Sequence, residues 1–104
     1  MAISTTQVNN TNTTIYTSSG SSAVTLITIC NYSASAITVD MHIVPNGGTA
    51  SNANIMLKEL TIAAKDTYIV YQGGEKIVLG NGDMVSVIAS AGSSANAITS
   101  YVSI

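Results

Sequence analysis

From Thr14 onward, apolar and polar residues alternate in short runs, and clusters of Ser, Gly, Asn and Ala interrupt them about every 8 to 12 residues. Period two sends successive side chains to opposite faces of an extended chain. The pattern predicts strands at 14–17, 23–32, 36–44, 54–62, 66–72, 76–79, 83–90 and 96–104. About eight short antiparallel strands spaced this way predict an all-β chain folded as a single β-sandwich, with jelly-roll and immunoglobulin-like strand orders both open. Gly47–Gly48, Gly73–Gly74 and Gly80–Asn81–Gly82 suit the tight turns between strands. Pro45, which has no N–H, closes the third strand. Segment 53–60, "ANIMLKEL", is built of helix-forming residues, but the β-branched Thr61 and Ile62 that follow favour a strand. Residues 1–13 are rich in Thr and Asn with few apolar anchors. They read as a flexible N-terminal arm that orders only against a neighbour, with the sandwich domain occupying 14–104.

The faces of individual strands differ. In "AITVDMHIV", Ile37, Val39, Met41 and Ile43 share one face, while Thr38, Asp40, His42 and Val44 share the other. Asp40 and His42 are thereby placed as neighbours on a polar surface. In "AVTLITICNY", Val24, Leu26, Thr28 and Cys30 alternate with Ala23, Thr25, Ile27 and Ile29, so neither face is cleanly polar. The last strand behaves alike, with Ile98, Ser100, Val102 and Ile104 against Ala97, Thr99, Tyr101 and Ser103. Strands without a wet face are usually covered on both sides. In one small domain, the second cover is most easily supplied by another copy.

Composition sharpens that point. The chain of 104 residues fits one domain, but Asp, Glu, Lys and Arg make up 8% of it, where about 25% is usual. Lys58, Lys65 and Lys76 are its cations, and Ser, Thr and Asn, numbering 14, 13 and 9, take the place of charge. A net charge of −2 gives little colloidal repulsion, which suits a chain packed into an assembly better than a free monomer. A compositional habit of the source is the plainer alternative. Three lysines make no basic stripe for nucleic acid. No apolar run reaches membrane-spanning length, and the N-terminus has neither the basic nor the apolar region of a signal peptide. The chain is therefore expected to be made in a cytoplasm. Its single cysteine, Cys30, excludes an internal disulfide and is expected to be a small buried apolar residue.

Candidate chemistry is sparse. Asp40 and His42 offer two metal ligands at most, short of the convergent set a site needs. His42 is the sole histidine, and no G-x-S-x-G elbow accompanies it. Glu59, Asp66, Glu75 and Asp83 fall at strand edges or turns, where carboxylates are normally solvated. "GGEK" and "GNGD" connect strands and open no helix, so they lack phosphate-binding context. No catalytic, cofactor-binding or metal-binding residues are assigned, no cofactor is expected, and the chain reads as a non-enzyme. Carbohydrate recognition would fall to Tyr68, Tyr71 or Tyr101, since Trp and Phe are absent; tyrosines at core edges with wet hydroxyls are the plainer reading. Asn9, Asn12 and Asn31 head N-x-[ST] triplets that so Asn-, Ser- and Thr-rich a chain produces by chance.

Three segments, "TLITICNYSASAITVDMHIVPNGG", "LTIAAKDTYIVYQGGEKIVLGNGDMVSVIAS" and "ITSYVSI", follow one another in an order that resembles small bacteriophage virion proteins with a β-sandwich domain. The shared pattern is a strand ending in "ICN", one ending in "VP.GG", an "L.IPA.DT" run, a "GGE...L..GD.I.V.AS" run and a terminal strand. It covers about 15–104, with Ala63–Ala64 standing where the pattern has a Pro-containing turn. The resemblance implies a structural subunit of a virus particle, foremost a capsid decoration or cement protein. It further implies a homo-oligomer, with a trimer favoured by capsid geometry, whose partner is the major capsid protein or the tail proteins. A tail, neck or fibre component is the alternative within the particle. A module binding a host surface or glycan is the alternative outside that class. No nucleic-acid or membrane partner is implied.

Overall fold

The computed structural model describes residues 2–70 and 77–104. Nine strands follow in chain order: β1 (Ala2–Val8), β2 (Thr13–Thr17), β3 (Ser22–Asn31), β4 (Ile37–Val44), β5 (Ile55–Ile62), β6 (Thr67–Ile69), β7 (Ile77–Leu79), β8 (Met84–Ala89) and β9 (Ala95–Ser103). They build two antiparallel sheets packed face to face. The first runs β1-β9-β3-β6, with β7 also pairing β3; the second runs β2-β8-β4-β5. The chain is thus a long hairpin wound on itself: β4 pairs β5, β3 pairs β6 and β7, β2 pairs β8, and β1 pairs β9. That nesting is the strand order of a jelly roll, and it decides between the two sandwich topologies that strand spacing leaves open.

The core lies between the sheets. Val8, Val24, Ile27 and Ile29 meet Ile15, Val39, Met41, Val85 and Val87, all essentially buried. Small residues stand opposite β1 on β9: Ala95 and Ala97 are fully buried beside Val8. Tyr16 and Tyr101 stack across the sandwich, their ring centroids 4.3 Å apart. Inside, the Tyr16 hydroxyl donates to Ser22 Oγ at 3.0 Å.

Residues 2–8, assigned to the arm by sequence, form a strand. Seven residues from Ala2 to Val8 register against Tyr101 to Ala95. Alternation turns Ser4, Thr6 and Val8 inward, and Ser4 Oγ donates to Ile15 O at 3.2 Å. The ladder of backbone hydrogen bonds and β-branched threonines hold this strand; Val8 is the one large apolar residue it buries. Segment 55–62 is a strand, as Thr61 and Ile62 suggest. The expected strand end at Gln72, the Gly73–Gly74 turn, Tyr71, Glu75 and Lys76 lie outside the described residues.

Bulges redirect several side chains. Between Val24 and Leu26, β3 advances two residues while β9 advances one, leaving Thr25 as the extra residue. Val24 therefore faces the core together with Ile27 and Ile29, and Leu26, Thr28 and Cys30 face outward. Cys30 is half-buried on that outer face rather than in the core. On β2 the extra residue is Ile15, so that Ile15 and Tyr16 are both buried.

Candidate functional site

Asp40 and His42 share the outer face of β4, yet they do different things. Opposite them, β5 carries two extra residues: Val39 to Met41 is matched by Leu60 to Leu57, and Met41 to His42 by Leu57 to Ile55. In the first of these bulges Glu59 adopts φ 51°, a left-handed conformation uncommon outside glycine. Its freed N–H donates to Asp40 Oδ1 at 2.7 Å, and Lys58 Nζ lies 3.5 Å from Asp40 Oδ2. Asp40 is the clamp of this bulge.

His42 is no surface residue. It is 6% exposed, and its Nδ1 has no hydrogen-bond partner. Across the strand pair it faces Ser86 of β8, which is 2% exposed and whose Oγ is likewise unpartnered. Beside this pair the β4–β5 connection turns back over the outer face, with Gly48, Thr49 and Ala50 opposite Val44, Met84 and Ser86. Gly48 N–H closes a turn on Pro45 O at 2.9 Å, with Gly47 at φ 80°. Asn54 then holds the loop: its Nδ2 donates to Thr49 O at 2.9 Å, and its Oδ1 accepts from Ser51 N–H at 3.0 Å.

Between loop and sheet lies a half-open pocket of about 160 Å³. Val44, Met84 and Ser86 line its sheet side, and Gly48, Thr49 and Ala50 its loop side. Asn12 and Thr14 complete the rim. None of these residues is ionisable. The nearby Asp83 carboxylate is engaged elsewhere, accepting from Asn46 N–H and Gly80 N–H at 2.9 Å each. Among the described residues, no three His, Cys, Asp or Glu side chains converge as metal ligands would.

A second feature is the outer face of the β1-β9-β3-β6 sheet. None of its five strands, β7 included, contains Asp, Glu, Lys, Arg or His. One row across it reads Thr5, Ile98, Thr28, Ile69; another places Ile3 beside Ser100 and Leu26; a third places Val102 and Val78 on either side of Ala23. Ile3 and Val78 are 66% and 67% exposed, and Ile69 and Ile98 are also open to solvent. The two-sided apolar character of β3 and β9 in the sequence thus has a place: these strands are adjacent, and their shared outer face is bare.

Among the described residues, the tyrosines do not assemble into a sugar platform. Tyr101 packs on Tyr16, and Tyr68 is half-buried against the core. Tyr32 OH accepts a hydrogen bond from Gln7 Nε2. Asn31, which heads an N-x-[ST] triplet, is fully buried. Its Nδ2 reaches the carbonyls of Ser35, Ile62 and Ala63, and its Oδ1 accepts from Ser33 N–H and Oγ. The sequence signal for that role is the position of Asn31 at the end of an apolar strand, directly before a Ser-rich turn. No family model matches this chain, and no curated protein or solved structure matches it significantly.

Proposed function

We propose that this protein is a structural subunit of a bacteriophage particle that associates with copies of itself and with a larger protein lattice, foremost as a capsid decoration or cement protein. The observation that carries this reading is the outer face of the β1-β9-β3-β6 sheet, whose strands contain no Asp, Glu, Lys, Arg or His, with Ile3, Ile69, Val78 and Ile98 open on it. The described charged residues lie elsewhere: Asp40, Lys58 and Glu59 on the other sheet, and Lys65, Asp66 and Asp83 in turns. Such segregation marks an interaction surface rather than a solvated one. Four strands abreast and a β9 of nine residues give a face of roughly 500 Å² per copy, or about 1,000 Å² for a pair. That is the low end for a specific interface, and it suits a subunit whose hold comes from many simultaneous contacts. The jelly-roll order is compatible with the role, since it recurs in viral capsid domains, but it recurs elsewhere too and is an analogy of fold alone. The role requires no catalytic group, and synthesis in the host cytoplasm without export suits it.

The test is sedimentation and light scattering of the purified chain, followed by the Val78→Lys/Ile98→Lys double variant. The wild type sediments as an oligomer, with a trimer expected, and the variant as a folded monomer. A wild type that is monomeric at micromolar concentration and does not bind capsids overturns the proposal. Imaging of intact particles then separates the subtypes: density on the shell marks a decoration protein, density on the tail a tail or fibre component.

A further inference from the structure

We infer that the free edge of β1 is an interaction surface for a second copy of this chain: two β1 strands pair antiparallel about a two-fold axis at Thr5 and join two β1-β9-β3-β6 sheets into one. The first argument compares the edges of the two sheets. A sheet edge offers a row of unpaired N–H and C=O groups, and proteins that stay apart blunt it with bulges, charges or short strands. Among the described residues, the other three edges are blunted. β2 is five residues long and bulged at Ile15. β5 has two extra residues, holds Glu59 at φ 51° and carries the charges of Lys58 and Glu59. β6 and β7 divide the edge opposite β1 into pieces of three residues each. β1 has none of these devices. Its seven residues keep an unbroken register with β9 and include no charge, proline or glycine.

The second argument is that this flank is open. Outside the β9 ladder, no backbone group of residues 2–8 has a hydrogen-bond partner among the described residues. Ser4 and Thr6 point into the sandwich but are only half-buried, whereas Thr99 and Ala97, their partners on β9, are fully buried. The difference lies on the side away from β9, where a further strand would cover them.

The third argument fixes the occupant. Turned about Thr5, the strand matches itself: antiparallel pairing sets Ser4 opposite Thr6 of the second copy, Thr5 opposite Thr5, and Ile3 opposite Gln7. Opposed Thr and Ser residues hydrogen-bond across a strand pair and favour it, and no like charges meet. A patch that contacts its own image is the isologous contact that two-fold symmetry makes. This contact goes beyond the face association proposed above and is separate from it. An oligomer held by that face keeps a β1 edge on every copy, and weak contacts repeated at many copies act together.

A pair of strands about 24 Å long buries less than the roughly 1,000 Å² of a stable complex, so the free chain pairs at about millimolar concentration. The test uses the full chain carrying Ile69→Lys/Val78→Lys, which charges the outer face on its side away from β1. Sedimentation equilibrium and amide chemical shifts follow it from micromolar to millimolar concentration. It is expected to pass from monomer to dimer, with shifts centred on residues 2–8. Thr5→Lys and Thr5→Glu each set like charges against one another at the axis and weaken the dimer by about fivefold or more. Both keep a folded spectrum, because Thr5 points to solvent. Mixing the two variants in equal amounts restores the dimer. The inference is overturned by the absence of a dimer at millimolar concentration, by shifts that lie outside β1, by a dimer that survives Thr5→Lys, or by a mixture no more associated than either variant alone. Loss of oligomers held by the outer face leaves these readouts unchanged, so the assembly role and this contact stand or fall separately.

Discussion

Replacing Asn31 with alanine removes the side chain on which the end of β3 is fastened to the end of β5. The amide has two hydrogens and three carbonyl partners, Ser35 O at 2.8 Å, Ile62 O at 3.0 Å and Ala63 O at 3.1 Å, so one hydrogen is shared. Its oxygen accepts from Ser33 N–H at 3.0 Å and Ser33 Oγ at 2.7 Å. Partners near the surface regain water in the variant. The Ile62 carbonyl, whose bond to Asn31 is buried, does not, and an unsatisfied buried acceptor costs about 1–3 kcal/mol. With about 1 kcal/mol net for each of the better remaining bonds, the loss comes to about 3 kcal/mol. Against a total stability of about 5–15 kcal/mol that is a large fraction, and it lowers the melting temperature by roughly 15 °C. Urea unfolding followed by far-ultraviolet circular dichroism measures it, since the chain has no tryptophan. Asn31→Asp separates hydrogen bonding from volume. At neutral pH it sets a carboxylate against three carbonyls and is less stable than Asn31→Ala. Protonation in the folded state is then favoured, so the penalty is present at high pH and is relieved as pH falls. A loss below about 1 kcal/mol for Asn31→Ala with an unchanged m-value would refute the reasoning, because it would mean that water replaces the amide at every partner.

Further expectations follow from the other polar contacts. Asp40→Ala hands the exposed Glu59 N–H to water and costs about 1 kcal/mol for the lost charge-assisted bond, whereas Lys58→Ala, at a largely exposed ion pair, costs about 0.5 kcal/mol or less; paired urea melts compare them. Glu59→Gly relieves the left-handed backbone and raises stability by about 1 kcal/mol. Gly82→Ala must hold φ +85° and set a Cβ 2.5 Å from the Asn46 side chain, so it lowers stability by at least about 1 kcal/mol in the same assay. Hydrogen exchange at β1 tests its pairing: the amides directed at β9 exchange slowly, where an arm would exchange at the rate of free peptide.

Period two and turn clusters were enough to locate the strands from β2 to β9, because most carry Ile, Val, Leu or Met at inward positions; β9 is the exception, marked by its outward Ile98 and Val102 while Ala95, Ala97, Thr99 and Tyr101 face in. β1 escaped the same reasoning because its inward residues are Ser4, Thr6 and Val8, packed against alanines that need no large partner. The bulges at Ile15 and Thr25, and those opposite Asp40 and His42, carry no glycine or proline to announce them. Each shifts which residues share a face: the one at Thr25 lets Val24 stay in the core while Leu26, Thr28 and Cys30 face outward, and Cys30, expected to be buried, is half-buried there. The alternation along β4 was read correctly, but alternation alone does not tell a wet face from a covered one, and His42 on that face is buried. The pocket draws on residues near 12, 48 and 86, a juxtaposition that only the jelly-roll winding creates. The bare outer face was legible in outline, since β3 and β9 each lack a polar side; that they lie next to each other was not.

The insertion of β9 between β1 and β3 has a consequence for synthesis. On a ribosome adding about 5–20 residues per second, the roughly seventy residues that separate the ends of β3 and β9 take about 4 to 14 seconds to appear. Throughout that interval the nascent "SAVTLITICN" has one long edge unpaired, and only three-residue β6 and β7 arrive in time to cover the other. Such a segment, β-prone and without charge or proline, is the kind that seeds intermolecular pairing. Heavy expression should therefore lose this protein to inclusion bodies during translation, and slowing initiation should recover more soluble product than stabilising the finished fold.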